Sequence, residues 1–118
     1  MKFEQLDRRM RVYETAHDHC VLPHVHMVAR IDGRSFSHLT RVAQGFDAPY
    51  DLRFRDHMVA TLKHLMSCGF SVLYGSTQSD EMSLLLRRDE SLFGRKLRKL
   101  LSVLAGEASG AFSVRLGS

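Results

Sequence analysis

The chain has 118 residues and a mass of 13.5 kDa, which suits one domain with a modest hydrophobic core. Hydrophobic residues make up 44% and charged residues 25%, a composition that excludes a disordered chain. No apolar run approaches the roughly 20 residues of a membrane span and no segment has a signal-peptide pattern, so we expect neither a membrane nor a secreted protein. Two isolated cysteines, Cys20 and Cys68, are typical of reduced thiols and predict a cytoplasmic location.

The net positive charge comes from one short part of the chain. Seventeen basic and thirteen acidic residues give a formal net charge of +4. Residues 87–99, called the basic segment below, hold six of the basic and two of the acidic residues, so their surplus equals that of the whole chain. Such a run is typical either of a solvated helix face or of a surface that binds a polyanion, and both interpretations stay open here.

In the first half of the chain, hydrophobic spacing predicts a helix near the amino end, then a strand and two further helices. Residues 25–31 alternate between apolar and polar side chains, which predicts a strand that stops at the Asp32-Gly33 turn. A short helix over residues 35–44 is expected next. A longer helix begins near Pro49 and ends at Gly69, with apolar residues at helical spacing: Phe54, Met58, Leu62, Leu65 and Met66.

The second half predicts two strands, a helix and a last strand. Residues 70–74 form a short apolar strand, and a polar turn over residues 76–80 leads into a strand at residues 82–86. Ser91 can cap a helix that Gly110 ends. Beyond it, the alternating Phe112, Val114 and Leu116 predict a fourth strand.

This order of elements predicts an α+β, ferredoxin-like βαββαβ domain with a four-stranded antiparallel sheet and both helices on one face. In that topology the first and third strands are antiparallel neighbours. Asp32, at the end of the first strand, is therefore expected to lie beside Asp80, at the start of the third.

Two carboxylates that meet at a strand end suit a hard cation. Mg²⁺ prefers oxygen ligands and commonly bridges carboxylates to substrate phosphates, and a pair of such ions supports phosphoryl transfer. Gly33 allows a phosphate to approach the backbone, and the N–H groups that follow it can form an anion site. Because neighbours on a strand face opposite sides, Asp80 is assigned as the ligand and Glu81 as a supporting or structural carboxylate.

Three stretches of the chain together carry a family resemblance. They are residues 30–36 (Arg-Ile-Asp-Gly-Arg-Ser-Phe), Phe46 with Pro49 and Asp51, and residues 74–81, which end in Ser-Asp-Glu. With these motifs the chain resembles the tRNA-histidine guanylyltransferase family, and more closely its bacterial and archaeal tRNA guanylyltransferase-like branch. The resemblance covers the chain from about its first residue to its last. It implies a polymerase-palm version of the ferredoxin-like sheet and a nucleotidyltransferase that extends tRNA at its 5′ end, in the 3′-to-5′ direction.

The resemblance also implies a site with two Mg²⁺ ions, with GTP, ATP and tRNA as ligands and a homo-oligomer as the assembly. It places the metal ions on Asp32, the carbonyl of Gly33, and Asp80, so that Asp32 and Asp80 are the catalytic residues. It assigns eight residues to nucleotide binding: Gly33, Arg34, Ser35, Phe36, Asp51, Ser79, Arg95 and Lys99. The spacing of the basic segment agrees with this, because Arg95, Arg98 and Lys99 share one side of the predicted helix.

Two features depart from the family pattern. The family commonly has a histidine two places after the position of Ser35, where this chain has Ser37; the next residue, His38, is expected to take a supporting role. The family domain also continues well past the fourth strand, whereas this sequence ends at Ser118. We therefore expect residues 1–118 to be a palm-like catalytic domain that lacks the carboxy-terminal part of the family domain.

Other functions stay open as alternatives. One is a palm-like domain that binds nucleotide without polymerising. Another is a ferredoxin-like RNA-binding module, which is less favoured because residues 25–31 and 82–86 contain no aromatic side chain that could stack on a base. A zinc site is disfavoured by irregular spacing in the histidine- and cysteine-rich stretch His17, His19, Cys20, His24 and His26, and His64 is expected at the surface or the core edge.

Overall fold

Three antiparallel strands form a sheet in the computed structural model, which describes residues 2–33 and 52–117. The strands are β1 (Val28–Asp32), β2 (Val72–Gln78) and β3 (Glu81–Leu86), in the spatial order β1-β3-β2. The α-helices of the described part are α1 (Phe3–Glu14), α2 (Leu52–Leu65) and α3 (Leu97–Leu116). The predicted α+β class and the antiparallel pairing of the first and third strands are confirmed, while the helix predicted over residues 35–44 lies outside the described residues.

The core lies between the sheet and helices α2 and α3. Side chains of β3 alternate strictly, with Met82, Leu84 and Leu86 buried, because successive residues of a strand point to opposite faces. Helix α2 adds buried residues at helical spacing, and α3 adds one every four residues. The helical members of the core are Phe54, Met58, Leu62, Leu65, Leu100, Leu104, Ala108 and Phe112.

Strand β2 approaches α2 closely at Gly75. A Cβ atom at this position would come within 3.0 Å of both the Leu62 Cδ1 atom and the Met66 Sδ atom. Close packing leaves little room for an added methyl group, so glycine is what allows the strand to lie against the helix here.

The predicted fourth strand is wrong. Residues 112–116 are the last residues of α3, which runs without interruption past Gly110. Phe112, Val114 and Leu116 alternate as the residues of a strand do, which is why a strand was predicted. Phe112 and Leu116 also continue the four-residue spacing set by Ala108, which is that of a helix face. Gly110 does not end the helix, since glycine costs a helix interior only about 1 kcal/mol relative to alanine, which core packing offsets.

Helix α1 forms where the amino-terminal pattern predicts it, but none of its residues is buried. Its apolar side chains remain on the surface: Phe3, Leu6, Met10, Val12 and Tyr13. Among the described residues, no helix combines the length and the apolar character that crossing a membrane requires.

Candidate metal and nucleotide site

Three carboxylates converge at one end of the sheet, and they are called the acidic edge below. Asp32 is the last residue of β1 and pairs in register with Glu81, the first residue of β3. Asp80 belongs to the turn that precedes Glu81. One carboxylate oxygen of each residue lies within 4.8 Å of an oxygen of each of the other two. The structure thus brings Asp32 and Asp80 together, as the strand order predicts; their role as metal ligands stays a prediction.

The turn between β2 and β3 is only two residues long, and it explains how both Asp80 and Glu81 face Asp32. Gln78 pairs with Glu81, so Ser79 and Asp80 alone connect the strands. Ser79 has a φ of 56°, the left-handed conformation that hairpin turns of this length favour. The sequence-based argument placed Asp80 on the strand, where it and Glu81 must point apart. In the structure Asp80 precedes the strand, and that restriction does not apply.

The donor set of the acidic edge fits a hard divalent cation. Octahedral Mg²⁺ with bonds of about 2.0–2.1 Å needs oxygens roughly 2.9 Å apart in neighbouring positions and about 4.1 Å apart in opposite positions. Oxygens that already lie within 4.8 Å of one another need only small side-chain adjustments to reach those separations. All three donors are oxygens, with neither sulfur nor imidazole among them, which favours Mg²⁺ over zinc-like ions.

One of the three carboxylates is neutralised within the protein. Glu81 accepts hydrogen bonds from the Arg30 guanidinium, one of them 3.1 Å long from Nε. This hydrogen bond and the negative charge of Glu81 raise the pKa of Arg30 above its usual range. Among residues 2–33 and 52–117, by contrast, no lysine or arginine forms an ion pair with Asp32 or Asp80. The negative charge of Asp32 also contributes to the raised pKa of Arg30, so within the described residues the two predicted ligands form no direct ion pair but lie in the field of one arginine.

Two clefts open beside the acidic edge. The first has a volume of about 400 Å³ and runs from Asp32, Gly33 and Asp80 towards the carboxy-terminal end of α3. The second, of about 620 Å³, lies on the other side of the hairpin turn, between the start of α2 and the end of β2. Its lining combines apolar and polar groups: Leu52, Phe54, Arg55, Met58, Thr77, Gln78 and Ser79. Both volumes lie within the range of about 300–1,000 Å³ that small-molecule sites occupy.

Sequence reasoning missed part of this lining. Ser109 and Ser113 reach the first cleft from α3, because the helix continues where a strand was predicted. Their four-residue spacing within an apolar stretch is the sequence signal that was available. Five predicted site residues lie outside the described part of the chain: Arg34, Ser35, Phe36, His38 and Asp51.

The structure contradicts the predicted placement of Arg95. This residue precedes α3 and belongs to a short 3₁₀ turn, Leu92–Arg95, in which Phe93, Gly94 and Arg95 all have positive φ. Its side chain is 7% exposed, and its guanidinium donates hydrogen bonds of 2.9–3.3 Å to four backbone carbonyls, those of Val21, Val25, Arg88 and Glu90. A guanidinium with those partners joins three loop segments, whereas the spacing placed it on a helix face. Its assignment to nucleotide binding stays a prediction.

The rest of the basic segment is also largely engaged within the chain. Arg98 contacts Glu14 and Asp18, Lys96 lies 3.7 Å from Asp18, and Arg87 pairs with Asp89. Arg95, Arg98 and Lys99 therefore do not form the shared helix face that the spacing predicted. Lys99 remains exposed on the first turn of α3. This end of the molecule lies beyond the Leu86 end of β3, a strand of six residues or roughly 17 Å, whereas the acidic edge is at the Glu81 end.

Comparisons with known proteins agree with the fold and point to one family. The family model described as tRNAHis guanylyltransferase matches residues 7–118. A tRNA(His) guanylyltransferase of the yeast Debaryomyces hansenii is 35% identical over 85 residues, which cover 72% of this chain and 32% of that protein. The solved structures of a bacterial tRNA(His) guanylyltransferase-like protein in complex with GTP and with ATP superpose with TM-scores of 0.82 at 27% and 28% identity.

In each match, the similarity covers most of this chain but a much smaller share of the related protein. In the GTP and ATP complexes the similarity covers 95% and 94% of this chain, but only 52% and 50% of the bacterial protein. The chain spans 28–40% of the length of the curated relatives that it matches.

Proposed function

Since the chain belongs to the tRNA(His) guanylyltransferase family, we propose that it supplies the metal- and nucleotide-binding part of an enzyme that adds nucleotides to the 5′ end of tRNA. The single observation that carries the proposal is the acidic edge, where Asp32 and Asp80 lie close together beside two clefts of nucleotide size and form no ion pair with a described lysine or arginine. The solved bacterial relative binds GTP and ATP, and both nucleotides are proposed as ligands of this chain.

Two Mg²⁺ ions are the proposed cofactors, held by Asp32, Asp80 and the Gly33 carbonyl. Ions bound there would stabilise the negative charge that develops on the transferring phosphoryl group and on its leaving group. Glu81, whose charge is paired with that of Arg30, keeps its carboxylate close to the two ligands as a supporting group. Ser79 adopts the left-handed conformation of the turn that contains Asp80. It also lines the second cleft, where a nucleotide is proposed to bind.

The proposed reaction has two steps. A 5′-monophosphorylated tRNA end attacks the α-phosphorus of ATP, which forms a phosphoanhydride between RNA and AMP and releases pyrophosphate. The 3′-hydroxyl of an incoming GTP then attacks the 5′ phosphorus of the RNA, so that a phosphodiester bond forms and AMP leaves. Both steps need charge stabilisation at a phosphoryl group, which is what a preorganised acidic edge with its cations supplies.

The experiment is a primer-extension assay on 5′-monophosphorylated tRNA with Mg²⁺, ATP and GTP. Asp32→Asn and Asp80→Asn are expected to lower the rate by at least about a hundredfold, the scale seen when one preorganised electrostatic group is lost from an active site. The matched control is Asp56→Asn, an exposed aspartate on α2 that pairs with its neighbour Arg55. Full activity in both edge variants contradicts the assignment of the site.

A second candidate function is nucleotide binding without polymerisation. The observation that favours it is the basic segment, most of whose cations are engaged inside the chain and are not free for RNA phosphates. This function predicts GTP binding that depends on the acidic edge, with no 5′-extended product in the same assay. Detection of the extended product excludes this candidate.

A homo-oligomer is a further proposal, supported by the uncovered apolar side chains of α1, such as Phe3 and Tyr13. Sedimentation velocity of the purified chain tests it: a monomer at micromolar concentration contradicts the proposal. The cytoplasmic location stays a prediction from the two unpaired cysteines, Cys20 and Cys68.

A further inference from the structure

A second group of ligand-type side chains lies away from the acidic edge. It consists of His64 near the end of α2, Cys68 in the turn after that helix, and Glu107 in the middle of α3. One ligand atom of each lies within 4.8 Å of one atom of each of the others. His64 Nε2 and Glu107 Oε2 are 2.6 Å apart, while the Cys68 thiol makes only a long contact, 3.6 Å, with the Leu65 carbonyl.

A groove of about 540 Å³ opens beside this group. His64 and Glu107 are part of its lining, together with small and apolar residues of α3: Val103, Gly106, Gly110, Ala111 and Val114. A Cβ atom at Gly106 or at Gly110 would meet no atom within 4 Å, so the approach to the group is open along the helix. The groove shares no lining residue with the cleft at Asp32.

We propose that His64, Cys68 and Glu107 bind a zinc-class divalent cation, with a fourth coordination position that opens into the groove. Imidazole nitrogen, thiolate sulfur and carboxylate oxygen are the three ligand types that Zn²⁺ takes in proteins. The thiolate and the carboxylate together neutralise the two charges of the ion. A thiolate ligand selects against Mg²⁺, so this site and the acidic edge hold different cations.

The geometry needs only local adjustment. Tetrahedral zinc with bonds of about 2.0–2.3 Å places its ligand atoms roughly 3.3–3.7 Å apart. The His64–Glu107 contact of 2.6 Å has to open by less than 1.5 Å, and the longest separation, at most 4.8 Å, has to close by about the same amount. His64 and Glu107 are both partly exposed, at 43% and 41%, so their side chains can make these movements without disturbing the core.

Such an ion would join the end of α2 to α3. These two helices supply most of the helical core, and the chain leaves α2 through the turn that contains Cys68. Metal binding at this point stabilises the native state, because an unfolded chain does not hold together three ligands that span 43 residues of the sequence, from His64 to Glu107. The open fourth position accepts water or an exchangeable anion from the groove.

The test is a Co²⁺ titration of the full chain under reducing conditions, without nucleotide or RNA. We expect one equivalent of Co²⁺ to produce a thiolate-to-cobalt charge-transfer band, and stoichiometric Zn²⁺ but not excess Mg²⁺ to abolish it. Cys68→Ser removes the band, whereas the matched variant Cys20→Ser, at the exposed cysteine, retains it. Glu107→Gln is expected to weaken Co²⁺ binding by at least about tenfold. Loss of a group that only orients a metal ligand already costs about tenfold, and Glu107 is proposed as a ligand itself.

Two results overturn the proposal. One is the absence of a charge-transfer band at stoichiometric Co²⁺ in the wild-type chain. The other is a band that Cys68→Ser leaves intact or that Cys20→Ser diminishes equally, since this would place the thiolate ligand in the histidine-rich stretch near Cys20. Far-ultraviolet circular dichroism of each variant shows whether the fold is retained, and Glu4→Gln on α1 is the control for loss of a carboxylate elsewhere. None of these outcomes depends on tRNA extension, so the proposal stands or falls separately from the proposed function.

Discussion

At the Glu81 end of β3, Asp32 and Asp80 have no basic partner among residues 2–33 and 52–117, whereas at the Leu86 end the basic segment is mostly paired within the chain. The basic segment is a charged run in the sequence, whereas the acidic edge forms only when the fold brings Asp32 to Asp80 and Glu81. The regions also differ in what the charges contact: backbone carbonyls and nearby carboxylates engage most of the cations, while Asp32 and Asp80 form no ion pair with a described lysine or arginine. A charge that the fold leaves uncompensated, and not the size of a charge run, indicates the binding site.

Among the variants that test the difference between the two regions, a substitution of Arg95 has the largest expected effect on stability. Arg95→Met leaves four backbone carbonyls without their donor and is expected to destabilise the chain by about 3 kcal/mol or more, since each hydrogen bond to a charged group contributes about 1.5–3 kcal/mol. Denaturant unfolding measures the effect. Arg88→Met, an exposed arginine in the same segment, is the control and stays within about 0.5 kcal/mol of wild type. Equal stability of the two variants would mean that Arg95 is not structural.

At the acidic edge, a substitution is expected to stabilise the metal-free chain, whereas the substitution of Arg95 destabilises it. Asp80→Asn removes repulsion among three close carboxylates and is expected to stabilise the metal-free chain by about 1 kcal/mol. Stabilisation by added Mg²⁺ is lost in the same variant, because the cation then has one ligand fewer. Thermal unfolding with and without Mg²⁺ measures both effects, with Asp56→Asn as the control; a destabilised metal-free Asp80→Asn variant would contradict this interpretation.

Among the residues that the structure describes, Arg30 alone pairs with a carboxylate of the acidic edge, and its removal tests how far that pairing affects cation binding. Arg30→Met should raise the affinity for Mn²⁺ by about threefold, because it removes a positive charge that opposes a cation at the acidic edge and that water screens only in part. Arg87→Met removes a comparable exposed ion pair at the basic end and should leave Mn²⁺ affinity unchanged. Isothermal titration calorimetry distinguishes the two variants. An unchanged or lower affinity in Arg30→Met would show that Arg30 supports the site by positioning Glu81 and does not oppose cation binding.

The smallest expected effect is at the turn. Ser79 has a φ of 56°, a conformation that costs a non-glycine residue about 1–2 kcal/mol. Ser79→Gly relieves this cost but gives the unfolded chain more freedom, so a net stabilisation of about 0.5 kcal/mol is expected. Ser76→Gly, within β2, should instead destabilise the chain. Unfolding curves that show Ser79→Gly to be destabilising would contradict strain at this residue.

The part of the fold that follows from local pattern was predictable. The alternation of β3 and the spacing of Phe54, Met58 and Leu62 indicated their elements, and antiparallel pairing of the first and third strands brought Asp32 to Asp80. The end of α3 was not predictable from the same patterns. Within residues 112–116, Phe112, Val114 and Leu116 fit the two-residue period of a strand. Phe112 and Leu116 also fit the four-residue period of a helix face, and only packing against α2 distinguishes the helix from the strand.

Features that depend on distant parts of the chain were beyond the reach of the sequence. Two of the four carbonyl partners of Arg95 belong to Val21 and Val25, which lie 74 and 70 residues away, and no side-chain pattern marks a carbonyl as an acceptor. His64 and Cys68 show a four-residue spacing, but Glu107 reaches them from another helix, 43 residues after His64. The resemblance to a known family implies a nucleotide contact for Arg95, a role that stays a prediction, and the hydrogen bonds of its side chain to loop carbonyls could not be foreseen from that resemblance.

The most direct test of the central claim, that the acidic edge and not the basic segment is the ligand site, is paramagnetic broadening of backbone amide resonances by substoichiometric Mn²⁺. The account predicts selective broadening of Gly33, Asp80 and Glu81, with Leu97 and Lys99 unaffected, and loss of this pattern in the Asp32→Asn, Asp80→Asn double variant. Broadening that is uniform along the chain, or that persists at Gly33 and Glu81 in the double variant, would contradict it.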